Sequence, residues 1–187
     1  MKELITYIER FQPLDAETKT AVENAFREER LKRNDFLAEE GKVTSKIYFI
    51  KFGLARRFRL SDGEDITTWL YHDEHWITSI ASYFSQLPSK EYIQACEDTS
   101  VFSITYTAEQ ELLKYPLFLK FHTTFLRCSI AAFDDFHFTF GPLSSQGKYL
   151  YLMDKFPLII QRAKQKYIAS LLNVSQETLS RIRSSII

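Results

Sequence analysis

Cysteine is almost missing from this sequence, with two in 187 residues, Cys96 and Cys128. Two thiols cannot supply the four ligands of an iron–sulfur cluster. They read as buried thiols of a reducing compartment rather than as a disulfide framework. Glycine and proline are scarce, five of each, which excludes collagen-like and low-complexity chains. Long apolar runs are also missing, so no transmembrane helix and no membrane partner are expected. Met1-Lys2-Glu3 is not followed by an apolar stretch of signal-peptide length, and the expected location is the cytoplasm. Net charge is absent too, since 24 basic residues balance 24 acidic ones. No nucleophile–base pair, phosphate-cradling glycine loop or paired-carboxylate motif is visible. The first expectation is therefore a protein that is not an enzyme and holds no metal or cofactor.

What is present is apolar and aromatic. Hydrophobic residues make up 45% and aromatic residues 15%, and 16 of them are Phe. That composition belongs to a packed protein with a dense core or a large apolar contact surface. The length allows one sizeable core plus a small appended module. The charge is unevenly spread. Residues 147–187 hold seven basic residues (Lys148, Lys155, Arg162, Lys164, Lys166, Arg181, Arg183) against Asp154 and Glu177. A basic end on an acidic body suits a module that meets nucleic acid, although an ordinary solvated face has the same composition.

Along the chain, residues 3–27 read as helical, with Asp15 as an N-cap. From about 30 to 106 short β-prone runs alternate with turn residues: Ile47–Ile50, Leu54–Leu60, Ile66–Tyr71, Tyr92–Ala95 and Val101–Tyr106. Asp62-Gly63 marks a tight hairpin between the second and third of these. Residues 77–86 read as a short helix. Many short strands joined by tight turns predict a sandwich or small barrel. Thr107-Ala108-Glu109-Gln110 reads as a capping box that opens a helix. A long helix then runs from Pro116 to Gly141-Pro142. Phe118, Phe121, Phe125, Cys128 and Ala132 line one face of it. Leu119, His122, Leu126, Ile130, Phe133, His137 and Phe140 form an adjacent stripe. A helix apolar on two faces needs two partners. The first set is assigned to a dimer seam, with full burial inside one chain as the competing account. Ser144–Phe156 is a shorter helix, and Pro157–Lys164 reads as a connector.

Gln165 to Ser184 carries the most specific pattern. Ala169 is the small residue required where one helix crosses another closely. Ile168, Leu172, Val174, Leu179 and Ile182 are spaced to pin two helices together. Asn173 tolerates the left-handed backbone needed at the turn, and Ser175 caps the second helix. A helix-turn-helix follows. Gln176, Glu177, Thr178, Ser180, Arg181 and Arg183 lie off the buried stripe, where a recognition helix reads base edges. Arg181 suits guanine O6 and N7, Glu177 suits cytosine N4, and Gln176 suits adenine or a phosphate. Lys164, Lys166 and Ser175 suit phosphates, which set register rather than sequence. A helical hairpin with no DNA role is the bland alternative.

The same residues resemble a known family. Ile168-Ala169 followed by Val174-Ser175-Gln176-Glu177-Thr178-Leu179-Ser180-Arg181 is similar to the DNA-reading end of the catabolite-activator (Crp/Fnr) regulators. Gly41, Ile47-Tyr48-Phe49-Ile50 and Gly53 resemble the barrel signature of that family, and the helix after Pro116 resembles its dimer helix. The resemblance implies an α+β chain in three parts. Residues 1–115 would be a cyclic-nucleotide-binding-type β-barrel (a jelly roll) with N-terminal helices. Residues 116–141 would be the dimerisation helix. Residues 142–187 would be a helix-turn-helix domain of reduced winged-helix type, because too little chain follows Arg183 for a full wing. It further implies a cytoplasmic homodimer on near-palindromic double-stranded DNA, with RNA polymerase as a further partner. In the family, residues matching Gln176, Glu177 and Arg181 meet the DNA, and an arginine is common where Gln176 stands.

One departure is informative. Cyclic-nucleotide binders carry Gly-Glu and, about ten residues later, Arg-Ser or Arg-Thr. Here those pairs fall on Thr78-Ser79 and Ser89-Lys90, the candidate ligand contacts, with neither the carboxylate nor the arginine fork at the decisive points. Phe133 and Asp134, which would approach the base, are also unlike the binders. Cyclic AMP is therefore not the expected effector; another small molecule, or none, is. A second functional class rests on His72-Asp73-Glu74-His75, a ligand-capable cluster in a cupin-like barrel that would suit a metal-dependent enzyme. A solvated turn between strands accounts for the same four residues, and Trp69 and Trp76 beside them read as core.

Overall fold

The computed structural model describes residues 1–186. Two helices come first, α1 (Lys2–Glu9) and α2 (Ala16–Ala25). The expected single helical region is split at residues 10–15. Asp15 does cap the second helix, its carboxylate accepting the Thr18 N–H at 2.8 Å.

Eight strands follow: β1 (Arg27–Leu31), β2 (Phe36–Ala38), β3 (Lys46–Phe52), β4 (Ala55–Ser61), β5 (Glu64–Tyr71), β6 (Trp76–Ile77), β7 (Tyr92–Ala95) and β8 (Thr99–Thr105). They form two four-stranded sheets of order β1-β8-β3-β6 and β2-β7-β4-β5. The residues between β6 and β7 include the short helix α3 (Ile80–Ser85). The β4–β5 connection is the two-residue hairpin expected at Asp62-Gly63, with φ of 52° and 82°. A turn with both central residues left-handed matches the twist of the paired strands.

A sandwich core lies between the sheets: Leu37, Ala38, Tyr48, Ile50, Ala55, Ile77, Ile93, Ala95 and Val101. A second core joins α1 and α2 to the outer face of the first sheet through Phe26, Phe49, Phe102 and Ile104, and takes in Phe118 and Phe121.

The chain then turns helical. α4 (Tyr106–Leu112) is capped by Thr105, whose hydroxyl accepts the Ala108 N–H at 3.2 Å. The cap thus lies two residues before the expected Thr107, because β8 runs directly into the helix. α5 (Pro116–Phe140) is the long helix, with Pro at its start. α6 (Ser145–Lys155), α7 (Pro157–Arg162), α8 (Gln165–Leu171) and α9 (Gln176–Ser184) complete the chain. The expected connector at 157–164 is largely α7. A third core unites this end: Phe140, Tyr149, Leu152, Ile159, Tyr167, Ile168, Ala169, Leu172 and Leu179 pack with Leu70 of β5. Leu70 ties the helical end directly to the sandwich. No helix among the described residues is long and apolar enough to cross a membrane.

Candidate nucleic-acid interface

α8 and α9 meet through a tight turn built as the local sequence requires. Asn173 takes φ 55°. The Val174 N–H then donates to the Ala169 carbonyl at 3.0 Å, and the Asn173 N–H to the Ser170 carbonyl at 3.0 Å. Ala169 is 2% exposed and Leu179 is fully buried, so a larger side chain at 169 would push the two helices apart. Ser175 caps α9, accepting the Thr178 N–H at 3.2 Å.

With the apolar stripe buried, the rest of this unit faces outward. Lys164, Lys166, Ser175, Gln176, Glu177, Ser180, Arg181 and Arg183 are exposed, and Thr178 is half-buried. The Ser175 hydroxyl, and more weakly Arg181 one turn on, hold the Glu177 carboxyl below its ordinary pKa. At neutral pH it is therefore a pure acceptor. Arg181 and Arg183 lie in the last turn, where cations also favour the helix dipole.

The helix-turn-helix is docked on the sandwich rather than hanging free of it. The Thr67 N–H on β5 donates to Ser170 Oγ at 2.9 Å. Arg56 on β4 is 4% exposed. Its guanidinium lies 3.9 Å from the Phe58 ring centroid and 4.2 Å from that of Tyr167, and it donates to Asp65 Oδ2 at 2.8 Å. Farther along, Arg162 of α7 spans two loops of the sandwich. It donates to both oxygens of Asp73 at 3.1 and 3.0 Å and pairs with Glu97. Asp73 also accepts the Gly53 N–H at 2.7 Å. The joints between the helical end and the sandwich, Thr67 to Ser170, Arg56 to Tyr167 and Arg162 to Asp73 and Glu97, were not visible in the sequence, because each pairs residues that are far apart along the chain.

The candidate ligand positions come together but are mutually occupied. Thr78, Ser79 and Ser89 are buried, and Lys90 is exposed. The Ser89 hydroxyl lies 3.1 Å from Ser79 Oγ and 2.8 Å from the Glu91 carbonyl. The Thr78 hydroxyl donates to the Lys46 carbonyl at 2.9 Å. The Ser89 backbone is tied to the turn between β2 and β3, its carbonyl accepting the Gly41 N–H and its N–H donating to the Lys42 carbonyl, both at 2.9 Å. A phosphate would have to displace these bonds without an arginine to replace them.

On α5 the two apolar faces have different surroundings. Phe118 and Phe121 are buried in their own chain, and Phe125 packs on the same core. Phe118 and Phe121 are thus used inside their own chain and offer little to the seam assigned to them, while Phe125 is half-buried. Cys128 and Ala132 on the same face are exposed. The uncovered apolar residues are chiefly those of the adjacent stripe and the helix end: Leu119, Ile130, Phe133 and Phe138.

The His72–His75 cluster makes a closed turn. The His72 N–H donates to His75 Nδ1 at 3.0 Å. The ring of His72 is turned onto the Asp73 carbonyl at 3.0 Å, and Glu74 pairs with Arg10 at 2.6 Å. Among the described residues no three His, Cys, Asp or Glu side chains converge as a metal site would require.

Comparison with known proteins agrees with this layout. Residues 28–115 match the cyclic nucleotide-binding domain family. Among solved structures, the c-di-GMP-responsive global regulator CLP of Xanthomonas campestris superposes with a TM-score of 0.67 at 14% identity, over 92% of this chain and 91% of that one. FixK2 of Bradyrhizobium japonicum gives 0.66 at 16% identity, over 86% and 84%. The catabolite activator protein of Thermus thermophilus gives 0.54 at 18% identity, over 94% and 85%. The present chain shares the fold of these three nearly end to end. No curated protein matches the sequence.

Proposed function

We propose that the protein is a cytoplasmic, dimeric, sequence-specific DNA-binding transcription regulator, in which α9 reads bases in the major groove. The observation that carries this reading is the closed α8–turn–α9 unit, with its polar and basic face exposed and its apolar face buried. Arg181 and Glu177 are the base-reading residues and Gln176 reads a base or a phosphate. Lys164, Lys166 and Ser175 hold the backbone. Thr178, Ser180 and Arg183 line the same face.

Dimerisation runs along α5 through the stripe of Leu119, Leu126, Ile130 and Phe133. Water-exposed Ile130 and Phe133, at 69% and 60% exposure, sit three residues apart on that helix. Such a pair favours a coiled-coil-like seam. The two chains then present two α9 helices to half-sites about one helical turn apart.

The self-satisfied Ser79–Ser89 pair argues that the barrel does not take cyclic AMP in the manner of nucleotide binders. An effector, if one acts, would shift the balance between two dimer arrangements through α5. A metal-dependent enzyme is not favoured, since the histidine turn is committed to its own backbone. Selection of bound duplexes from a randomised pool tests the reading. Enrichment of a two-fold-symmetric site supports it, and a pool that stays random after several rounds contradicts it.

A further inference from the structure

We propose that the β4–β5 hairpin is an autoinhibitory clamp. It pins α8 to the sandwich and holds carboxylates across from the residues that would take DNA phosphates. Binding then requires α8 to leave the hairpin. The proposal rests on the DNA-reading assignment above.

The grip comes from three contacts on one strand pair. Ser170 accepts the Thr67 N–H, Tyr167 stacks on Arg56, and Leu70 enters the core shared by α8 and α9. Arg56 is itself fixed by Asp65 and by Gln94, whose Oε1 accepts its Nε and Nη2 hydrogens at 3.3 and 3.2 Å. The clamp is therefore built into the sheet.

Beside these contacts runs an open groove of about 600 Å³. One wall is Leu60, Gly63, Glu64, Asp65 and Ile66 of the hairpin; the other includes Lys166, Ser175 and Gln176. The second wall is where a DNA backbone would lie. The first carries Glu64 and Asp65, and Asp62 stands at its exposed tip. Asp65 is neutralised by Arg56. Asp62 and Glu64 have no cation within salt-bridge distance among the described residues, so they add no ion pair that would account for their presence. A phosphate approaching Lys166 and Ser175 enters the groove that Glu64 also lines, and like charges closer than the screening length of about 8 Å at physiological salt oppose its entry.

The test uses the full chain and three variants, titrated onto the selected duplex at several salt concentrations. Asp62→Asn combined with Glu64→Gln removes the two free carboxylates, and asparagine keeps the left-handed turn at 62. Ser170→Ala removes the hydrogen bond without touching charge. Glu17→Gln combined with Glu23→Gln removes two exposed charges from α2, away from the groove, as the control. The clamp predicts several-fold tighter binding for the first two variants, with the gain of the charge variant fading as salt rises, and no gain for the control. In the free protein, Ser170→Ala should also speed hydrogen exchange at Thr67 and along α8.

Unchanged or weaker binding by both clamp variants overturns the proposal. So does an equal gain in the α2 control, which would reduce the effect to net charge. Binding that depends on Arg181 but not on the hairpin removes the clamp and leaves the DNA reading intact. If neither the parent chain nor the clamp variants bind any duplex, the DNA reading fails and takes the clamp with it.

Discussion

Acidification should destabilise the fold well above the pH at which carboxylates protonate, and His75 is the reason. Its ring lies in the turn between β5 and β6, 4.1 Å from the His72 ring centroid and edge-on to Tyr71. Its Nδ1 accepts the His72 N–H at 3.0 Å, and its own carbonyl accepts the Ile50 N–H at 2.9 Å. Protonation would place a proton on the nitrogen that now accepts one. Burial, helped by the neighbouring His72 and opposed by Asp73, holds the pKa down at about 4 against an ordinary value of 6.5.

The sign follows from linkage. Between those two values the unfolded chain binds a proton that the folded chain refuses, so stability is intact above pH 6.5 and falls as pH drops toward 4. At about 1.4 kcal/mol per pH unit the full displacement corresponds to about 3 kcal/mol, of which about 2 kcal/mol is gone by pH 5. His72 is shifted in the same direction by burial and adds to the slope. Urea unfolding at steps from pH 7.5 to 5 should therefore show the midpoint falling by about 1 M. In His75→Gln, which retains an acceptor but cannot titrate, most of that fall should disappear. A parent protein with a flat profile over this range, or a variant with the same slope as the parent, would refute the reasoning.

Two further outcomes follow from the joints and the exposed helix. Arg162→Ala strands Asp73 and Glu97, both partly buried, and should cost about 2 kcal/mol after allowance for their solvent contact. That is a drop of about 4–8 °C in the thermal midpoint for a chain of this size; a loss below one degree would show that the ion pairs contribute nothing net. Ile130→Glu places a charge in the apolar stripe of α5 and should convert a dimer to monomers in sedimentation without lowering the thermal midpoint of the sandwich. A variant that sediments as the parent does would move the interface elsewhere.

The parts legible in the sequence were those whose physics is local. The α8–α9 unit depends on a small residue, a left-handed turn residue and a cap within twenty positions, and all of them fall where the spacing puts them. The Asp62-Gly63 hairpin and Pro116 at the start of α5 are local signals of the same kind. β1 was hidden because Arg27-Glu28-Glu29-Arg30-Leu31 has no apolar alternation; it is a strand because it pairs with β8 along five residues. The choice of face on α5 could not be made from periodicity alone. Both stripes are apolar, and only the burial of Phe118 and Phe121 in the core shared with the N-terminal helices and the first sheet shows which is already used. The docking of Tyr167 and Ser170 on β4 and β5 spans about a hundred residues of sequence and leaves no local trace. Ser79 and Ser89 read as a missing nucleotide grip from residue type alone, whereas the hydrogen bond between their hydroxyls joins positions ten residues apart and leaves no local trace.

The central claim, that α9 reads bases, is tested most directly by Arg181→Ala measured against the selected duplex and a scrambled duplex at the same salt. The account predicts a loss of about 1–3 kcal/mol on the selected duplex, relaxed preference at one base position, and little change on the scrambled one. Equal loss on both duplexes would contradict it, since Arg181 would then be holding only phosphate.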